Sequence, residues 1–396
     1  MILSEKAKNI CPSLTLAITA KAKQMAKEGL DVISFGAGEP DFNTPKNIRE
    51  AAVKAIDLGL TRYTPASGIT ELKQAIIDKF KRDNNLSYTP NQIIISTGAK
   101  QCLANVFQAI LNPGDEVLIP TPYWVSYPEL VRLSDGVPVF VECEAEENFK
   151  YTLKALEKAI TPKTKSIVIN SPNNPTGAIY NKEELLAISE FAKKYNLLII
   201  SDEIYEKLTY GHNIHISISS LSEDAYKRTI VINGVSKSYA MTGWRIGYAA
   251  GDEDIIKLMS SVQSHTTSNP TSIAQYAALE ALTGPQDELC TMVKEFEKRR
   301  NYMVSRINSI KNLSCINAQG AFYIMLNISA FYGKEIGGSI INNSTEFADA
   351  LLSKEKVAVI PGIAFGLDEY VRLSYATSMT QIEVGLNRIE SFVSNM

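Results

Sequence analysis

Lys237 stands in Ser236-Lys237-Ser238-Tyr239-Ala240-Met241-Thr242-Gly243-Trp244-Arg245, directly after the run Arg228-Thr229-Ile230-Val231-Ile232-Asn233-Gly234. That run predicts a short buried strand, so the lysine falls just beyond a strand's carboxyl end, where open α/β sheets bind ligands. An amine there can condense with an aldehyde, and Arg245 can fork onto a phosphate. The pair suits a phosphorylated aldehyde cofactor held as a Schiff base. A single loop lysine is usually no more than a solvated charge, so the reading depends on what the rest of the chain brings to it.

Four other strand ends carry polar residues. The run Ser166 to Ile169 leads into Asn170-Ser171-Pro172-Asn173-Asn174-Pro175-Thr176-Gly177, a proline-stiffened loop that can aim amide side chains at a fixed point or serve only as a turn. Leu197 to Ile200 leads into Ser201-Asp202-Glu203-Ile204-Tyr205. A carboxylate at the end of a buried strand is costly unless paired. Asp202 would suit a pyridinium nitrogen and Tyr205 its ring oxygen, the alternative for Asp202 being a helix N-cap. Ile93 to Ser96 leads into Thr97-Gly98-Ala99-Lys100-Gln101 and an apolar helix, a start whose free N–H groups can seat a phosphate, although many such turns look alike. Ser236 and Arg245 can add donors there. Glu116 to Ile119 leads to Pro120-Thr121-Pro122-Tyr123-Trp124, whose indole either stacks on a ring or belongs to the core.

The elements that must hold these residues alternate. Short apolar strands, including Ile246 to Ala249, are mostly separated by helical stretches. Lys182 to Tyr195 is one, with a stripe of Leu185, Ala187, Ile188, Phe191 and Ala192. Continuous apolar strands predict a mostly parallel sheet covered by helices on both faces. After about residue 285 a long charged helix (Gln286 to Ser309) leads to Cys315-Ile316, Ala321 to Leu326, a polar insertion (Tyr332 to Ser344), a helix, and the runs Val357 to Ile360 and Tyr370 to Ser374. The expected division is 1–45 joining a smaller α+β domain, 46–285 as a large α/β domain, and 286–396 as the connecting helix and the small domain.

The 396 residues exceed one ordinary core, and 45% hydrophobic with 21% charged residues describes a globular protein. A net charge of -3 argues against a nucleic-acid partner. No run of about 18 apolar residues predicts a membrane span, and the first residues lack signal- or transit-peptide character, so the cytoplasm is expected. Five widely spaced cysteines read as reduced, buried thiols, and His212-x-x-His215 as a surface pair rather than a metal site.

Ser-Pro-Asn-Asn-Pro-Thr-Gly, Ser-Asp-Glu-Ile-Tyr, Ser-Lys-x(4)-Thr-Gly-Trp-Arg-Ile-Gly-Tyr and Val-Arg-Leu-Ser-Tyr-Ala occur in this order over most of the chain. Together they resemble the class I aminotransferases among the fold-type I pyridoxal-phosphate enzymes. The resemblance implies that Lys237 forms the Schiff base with pyridoxal 5'-phosphate, Asp202 pairs with the pyridinium, Tyr205 and Asn174 bind the ring oxygen, and Trp124 stacks on the ring. It implies that Gly98, Ala99, Lys100, Ser236 and Arg245 surround the phosphate, and that Tyr63 reaches the phosphate of a neighbouring subunit in a homodimer with shared active sites. Arg372 would take the substrate α-carboxylate, and Gly38 would let the backbone approach the substrate. Substrates would be amino acids and 2-oxo acids, exchanged in ping-pong order.

Ser264 to Pro270 holds no arginine for a distal carboxylate. The chain is instead similar to a bacterial-type subgroup of aspartate aminotransferases. Members hold that carboxylate with a lysine in Gly-Gly-Lys-Gln and with hydroxyls in Pro-Ser-x-Thr. The matching residues are Lys100 in Gly98-Ala99-Lys100-Gln101 and Ser13 and Thr15 in Pro12-Ser13-Leu14-Thr15. The alternative for Lys100 is a solvated lysine at a helix start. Some members also use prephenate and often carry a basic residue before Pro-Ser, where this chain has Cys11. Broader specificity towards prephenate, aromatic or alanine substrates is the alternative reading. A dinucleotide site at Gly36-Ala37-Gly38-Glu39-Pro40 fails, because Pro40 and Asp41 replace the third glycine and no helix opens there. A transcription regulator's cofactor-binding domain is not expected, since too little chain precedes Leu30. Decarboxylation or β-elimination on the same scaffold fits Arg372 and the full motif set less well.

Overall fold

The computed structural model describes residues 3–336 and 339–394. In chain order its strands begin with β1 (Ile33–Ser34), followed by seven that form the central sheet: β2 (Ile93–Ser96), β3 (Glu116–Thr121), β4 (Val137–Glu142), β5 (Thr164–Asn170), β6 (Leu198–Asp202), β7 (Thr229–Gly234) and β8 (Gly247–Ala250). Their spatial order is β2-β8-β7-β6-β5-β3-β4. Six strands run one way and β8 runs against both its neighbours. The fold is therefore α/β with a mostly parallel sheet. Apart from the edge strand β4, the strands are buried on both faces, as their apolar runs require. Ile94, Val117, Ile119, Val168, Ile200 and Ile232 pack under the helices Ala99–Ile110 and Glu253–Thr266. Leu118, Ile167, Ile169 and Ile199 face Leu185, Ile188 and Phe191 of the helix Lys182–Lys194. That helix starts where a capping box closes it: Asn181 accepts from the Glu184 N–H at 2.9 Å, and Glu184 accepts from the Asn181 N–H at 2.7 Å.

The helix Asp287–Ser309 leads to β9 (Ser314–Cys315), β10 (Tyr323–Asn327), the hairpin of β11 (Lys334–Ile336) and β12 (Ser339–Ile341), then β13 (Val357–Ala358), β14 (Ile360–Pro361) and β15 (Tyr370–Ser374). A second sheet, antiparallel throughout, has the order β14-β15-β10-β9. Strand β1 pairs in parallel with β13, and Ser374 N–H donates to the carbonyl of Phe35 at 2.8 Å, so the N-terminal segment is tied to this second sheet.

Three expectations change. The run Val357 to Ile360 is not one strand: it breaks at Val359, β13 joining β1 and β14 joining β15. The polar insertion, for which no element was expected, holds the antiparallel pair β11–β12, with residues 337–338 outside the described part. Strand β4 was unforeseen: Val137 to Val141 is an apolar run, but Pro138 within it argues against a strand, and as an edge strand it buries only Val141. No helix among the described residues is long and apolar enough to cross a membrane.

Candidate active site

The carboxyl ends of β2, β3, β5, β6 and β7 open on one cavity of about 660 Å³, and antiparallel β8 begins at the same edge, with Gly247 beside Ser96 and Gly234. Its reversed direction is what lets the chain just before it deliver Arg245 to this edge. Of the expected site residues, Ser13, Thr15, Gly38, Ala99, Lys100, Trp124, Asn174, Asp202, Tyr205, Ser236, Lys237, Arg245 and Arg372 line the cavity. Gly98 lies beside it as the N-cap of the helix Ala99–Ile110. Tyr63 does not reach it and is 92% exposed on this chain.

The helix start forms an anion seat. Gly98 has φ 86°, and a Cβ there would come within 2.8 Å of Arg245 Cζ. Gly247 is equally constrained, since its Cβ would meet the Ala99 Cα at 2.8 Å. Arg245, itself in the left-handed region at φ 57°, donates through Nη1 to the Thr242 carbonyl at 2.8 Å. Exposed N–H groups at the helix start, the Ser236 hydroxyl and the guanidinium together suit a phosphate. Lys100 Nζ lies 5.1 Å from the Trp124 ring centroid, and burial, then Arg245, lowers its pKa. Ser13 Oγ and Thr15 Oγ1 are 2.9 Å apart on the same cavity wall. Trp124 is only partly buried and meets Tyr127 edge-on at 5.2 Å, leaving ring surface to the cavity.

Asp202 is buried and followed by a turn, so it caps no helix. Tyr127 donates to its Oδ2 at 2.7 Å and the Ile204 N–H to its Oδ1 at 3.2 Å. Burial outweighs both and pushes the carboxyl up to about 6. A carboxylate so placed is suited to a cationic N–H partner. Asn170 donates through Nδ2 to the Asp202 carbonyl at 2.9 Å and accepts from the Asn174 N–H at 2.8 Å, which fixes the loop on which Asn174 sits.

Lys237 Nζ donates to the Gly38 carbonyl at 2.5 Å and lies 5.9 Å from the Tyr205 ring centroid and 5.7 Å from that of Phe322. Burial brings its pKa down to about 8, opposed chiefly by Glu39. An amine that is substantially neutral near pH 8 can act as nucleophile and as base. The Tyr205 hydroxyl is 3.1 Å from that of Tyr323, and burial raises its pKa well above the ordinary phenol value.

Arg372 is 3% exposed, held over Tyr323 at 4.3 Å and Phe365 at 4.9 Å. It donates through Nη1 to Asn174 Oδ1 at 3.1 Å and through Nη2 to the Gly36 carbonyl at 3.4 Å, and its Nε has no partner. Among the described residues no carboxylate pairs with it. A buried guanidinium without an anion is expensive, and an anion bound here would offset that cost. Arg372 without a carboxylate partner, the buried Asp202 carboxylate and the glycine-lined helix start beside Arg245 thus give one cavity two cationic positions and one anionic one.

Tyr127, Tyr323, Asn170 and Gly247 were given no role from sequence. Asn170 and Gly247 lie inside the quoted motifs, but only the folded backbone shows what they touch. His215 is corrected. It is no surface residue: its Nε2 lies 3.0 Å from Glu203 Oε2, beside the buried Lys79–Glu206 ion pair. The cysteines are all unpaired, but Cys11 and Cys290 are exposed and only Cys102 and Cys143 fully buried.

The family model for class I and II aminotransferases matches residues 30–389, and the chain belongs to that family. It is 54% identical to an aspartate aminotransferase of Bacillus sp. (strain YM-2) over 392 residues, covering 99% of each chain. It is 50% identical to a probable aspartate/prephenate aminotransferase of Rickettsia conorii over 99% of this chain and 98% of that one. The crystal structure of the aspartate aminotransferase from Rhizobium meliloti superposes with a TM-score of 0.96 at 43% identity, over 100% of this chain and 99% of that one.

Proposed function

We propose that the chain is a pyridoxal-phosphate-dependent aspartate aminotransferase that converts L-aspartate and 2-oxoglutarate to oxaloacetate and L-glutamate. The observation that carries this reading is Arg372, a buried guanidinium without a carboxylate partner in the cavity that also holds Lys237. Charge supports it: five basic side chains and only two carboxylates line a cavity in a chain of net charge -3. Such a lining suits a phosphate together with a dicarboxylic substrate.

When bound, the cofactor supplies an aldehyde that condenses with amines and a ring that accepts the electrons of a bond broken at the amino acid's α-carbon. Arg372 binds the α-carboxylate through its fork, and Asn174, whose Oδ1 is engaged by Arg372, keeps its Nδ2 free for the ring oxygen. Tyr205 donates to the same oxygen. Asp202 would hold a proton on the ring nitrogen, and Trp124 would offer its indole face to the ring. Lys237 Nζ would hold the cofactor's aldehyde, and as a free amine it would be the base that takes the proton from the substrate's α-carbon. The seat formed by Gly98, Ala99, Lys100, Ser236 and Arg245 anchors the phosphate. Lys100, Ser13 and Thr15 face the distal carboxylate, and Gly38 lets the strap that carries it pass close to the substrate.

The active unit proposed is a cytoplasmic homodimer in which Tyr63 serves the neighbouring site, a role compatible with its exposure on a single chain. The segment 1–45 would act with 286–396 as a small domain on the large domain 46–285, in keeping with the β1–β13 pairing. Broader use of prephenate is favoured only by the likeness to the Rickettsia protein. An amino-donor panel with 2-oxoglutarate, oxaloacetate and prephenate as acceptors, run on wild type and Lys100→Ala, tests the assignment. Aspartate and glutamate should lead in wild type and lose about 10-fold or more in the variant, while alanine and phenylalanine change little. Equal losses for all donors would remove the case for Lys100.

A further inference from the structure

The segment from Phe35 to Asp41 crosses the cavity as a strap. At one end the Phe35 N–H donates to the Ala358 carbonyl at 2.8 Å, and its carbonyl accepts from Ser374 at 2.8 Å. At the other, Asp41 Oδ1 accepts from Arg299 Nη1 at 2.7 Å. Between these anchors the Gly36 carbonyl meets Arg372 and the Gly38 carbonyl meets Lys237 Nζ. Glu39, between Gly38 and Pro40, points its carboxylate at the opposite wall: Thr242 Oγ1 donates to Glu39 Oε2 at 2.6 Å. Thr242 in turn gives its carbonyl to Arg245 Nη1. Among the described residues Glu39 is thus the one side chain of the strap that hydrogen-bonds the Lys237–Arg245 loop, beside the bond that Lys237 itself makes to the Gly38 carbonyl.

We propose that Glu39 is a positioning residue for Lys237. By gripping Thr242, its carboxylate holds the strap against the Lys237–Arg245 loop, so that the Gly38 carbonyl stays on the lysine amine, and it keeps a negative charge beside that amine. The charged groups around Lys237 are Glu39 on the strap, Arg245 on its own loop, Arg372 on β15 and Asp202 on β6, and of these Glu39 acts on it most. The two arginines oppose it, and Asp202 lies deeper. Removing the Glu39 charge therefore favours the neutral amine, and removing its oxygen frees the strap.

The inference rests on the reading of Lys237 as the reactive amine, but its test separates the two. Protein stripped of cofactor is acetylated with acetic anhydride across a pH series, and Lys237 is followed by peptide mass spectrometry. The wild-type midpoint is expected at about 8. It should fall by about half a pH unit or more in both Glu39→Gln and Glu39→Ala. In the holoenzyme, Glu39→Ala should raise KM for the amino donor by about 5-fold or more. Glu39→Gln, whose amide oxygen still accepts from Thr242, should stay within about twofold of wild type. An unchanged midpoint in both variants, or the same KM in both, overturns the proposal. Labelling needs no cofactor, so a protein that never binds pyridoxal phosphate still answers the first question.

Discussion

Replacing Arg372 separates recognition from packing. The guanidinium can present two parallel donors to a carboxylate, and a lysine at the same depth presents one point charge and no fork. One charge-assisted hydrogen bond contributes about 1.5–3 kcal/mol. Arg372→Lys should therefore lower kcat/KM for amino donors by about 10- to 100-fold. Arg372→Met removes the charge as well and should lower it by a further factor of about 10 or more. Stability moves differently. The wild-type guanidinium is buried with one side-chain acceptor at 3.1 Å, a carbonyl at 3.4 Å and an orphaned Nε, compensated by two aromatic faces. A methionine fills similar volume without that desolvation cost, so Arg372→Met without substrate should melt within about 2 °C of wild type or above it. Initial rates over a range of donor concentrations and a thermal melt of substrate-free protein read the two effects. A loss under about threefold in Arg372→Lys, or a melt lowered by many degrees in Arg372→Met, would refute the assignment and make Arg372 a structural residue.

Asp202 gives a test in pH. Burial raises its carboxyl to about 6 from 3.8, so the folded state holds the proton more tightly than the unfolded one. The resulting destabilisation is absent below about 3.8, grows as pH rises through 6, and reaches about 3 kcal/mol above it. Cofactor-free Asp202→Asn should accordingly be more stable than wild type in denaturant at pH 8 and close to it at pH 4, with kcat reduced by about 1000-fold or more. A variant less stable than wild type at pH 8 would count against the account. Gly98→Ala should weaken cofactor binding by about 10-fold or more, because the new methyl would meet the Arg245 guanidinium at a position with φ 86°. An absorbance titration that shows unchanged affinity would contradict this.

The parts of the site readable in the sequence are those fixed by local position. Asp202 ends β6, and Asn174 and Lys237 follow the carboxyl ends of β5 and β7; the apolar runs of these strands mark them plainly, and Arg372 sits within β15. What stayed hidden depends on contacts between distant segments. Tyr127 meets Asp202 across 75 residues and Tyr323 meets Tyr205 across 118, and neither tyrosine stands out from an ordinary core aromatic. The reversal of β8 leaves no trace in composition, since a buried antiparallel strand is as apolar as a parallel one, yet it decides where Arg245 arrives. His215 misled for the opposite reason: its polar neighbours suggest a surface loop, while Glu203, twelve residues earlier, draws it inward. Tyr63 is 92% exposed and makes no hydrogen bond among the described residues, so a single chain offers nothing to test its expected role.

The most direct test of the central claim is the visible absorbance of the purified protein supplied with pyridoxal phosphate. Wild type should develop a band from the Lys237–cofactor link, lose it on addition of L-aspartate alone, and regain it with 2-oxoglutarate. Lys237→Ala should show no such band. A wild-type protein that stays colourless, or a Lys237→Ala variant coloured like wild type, would contradict the account.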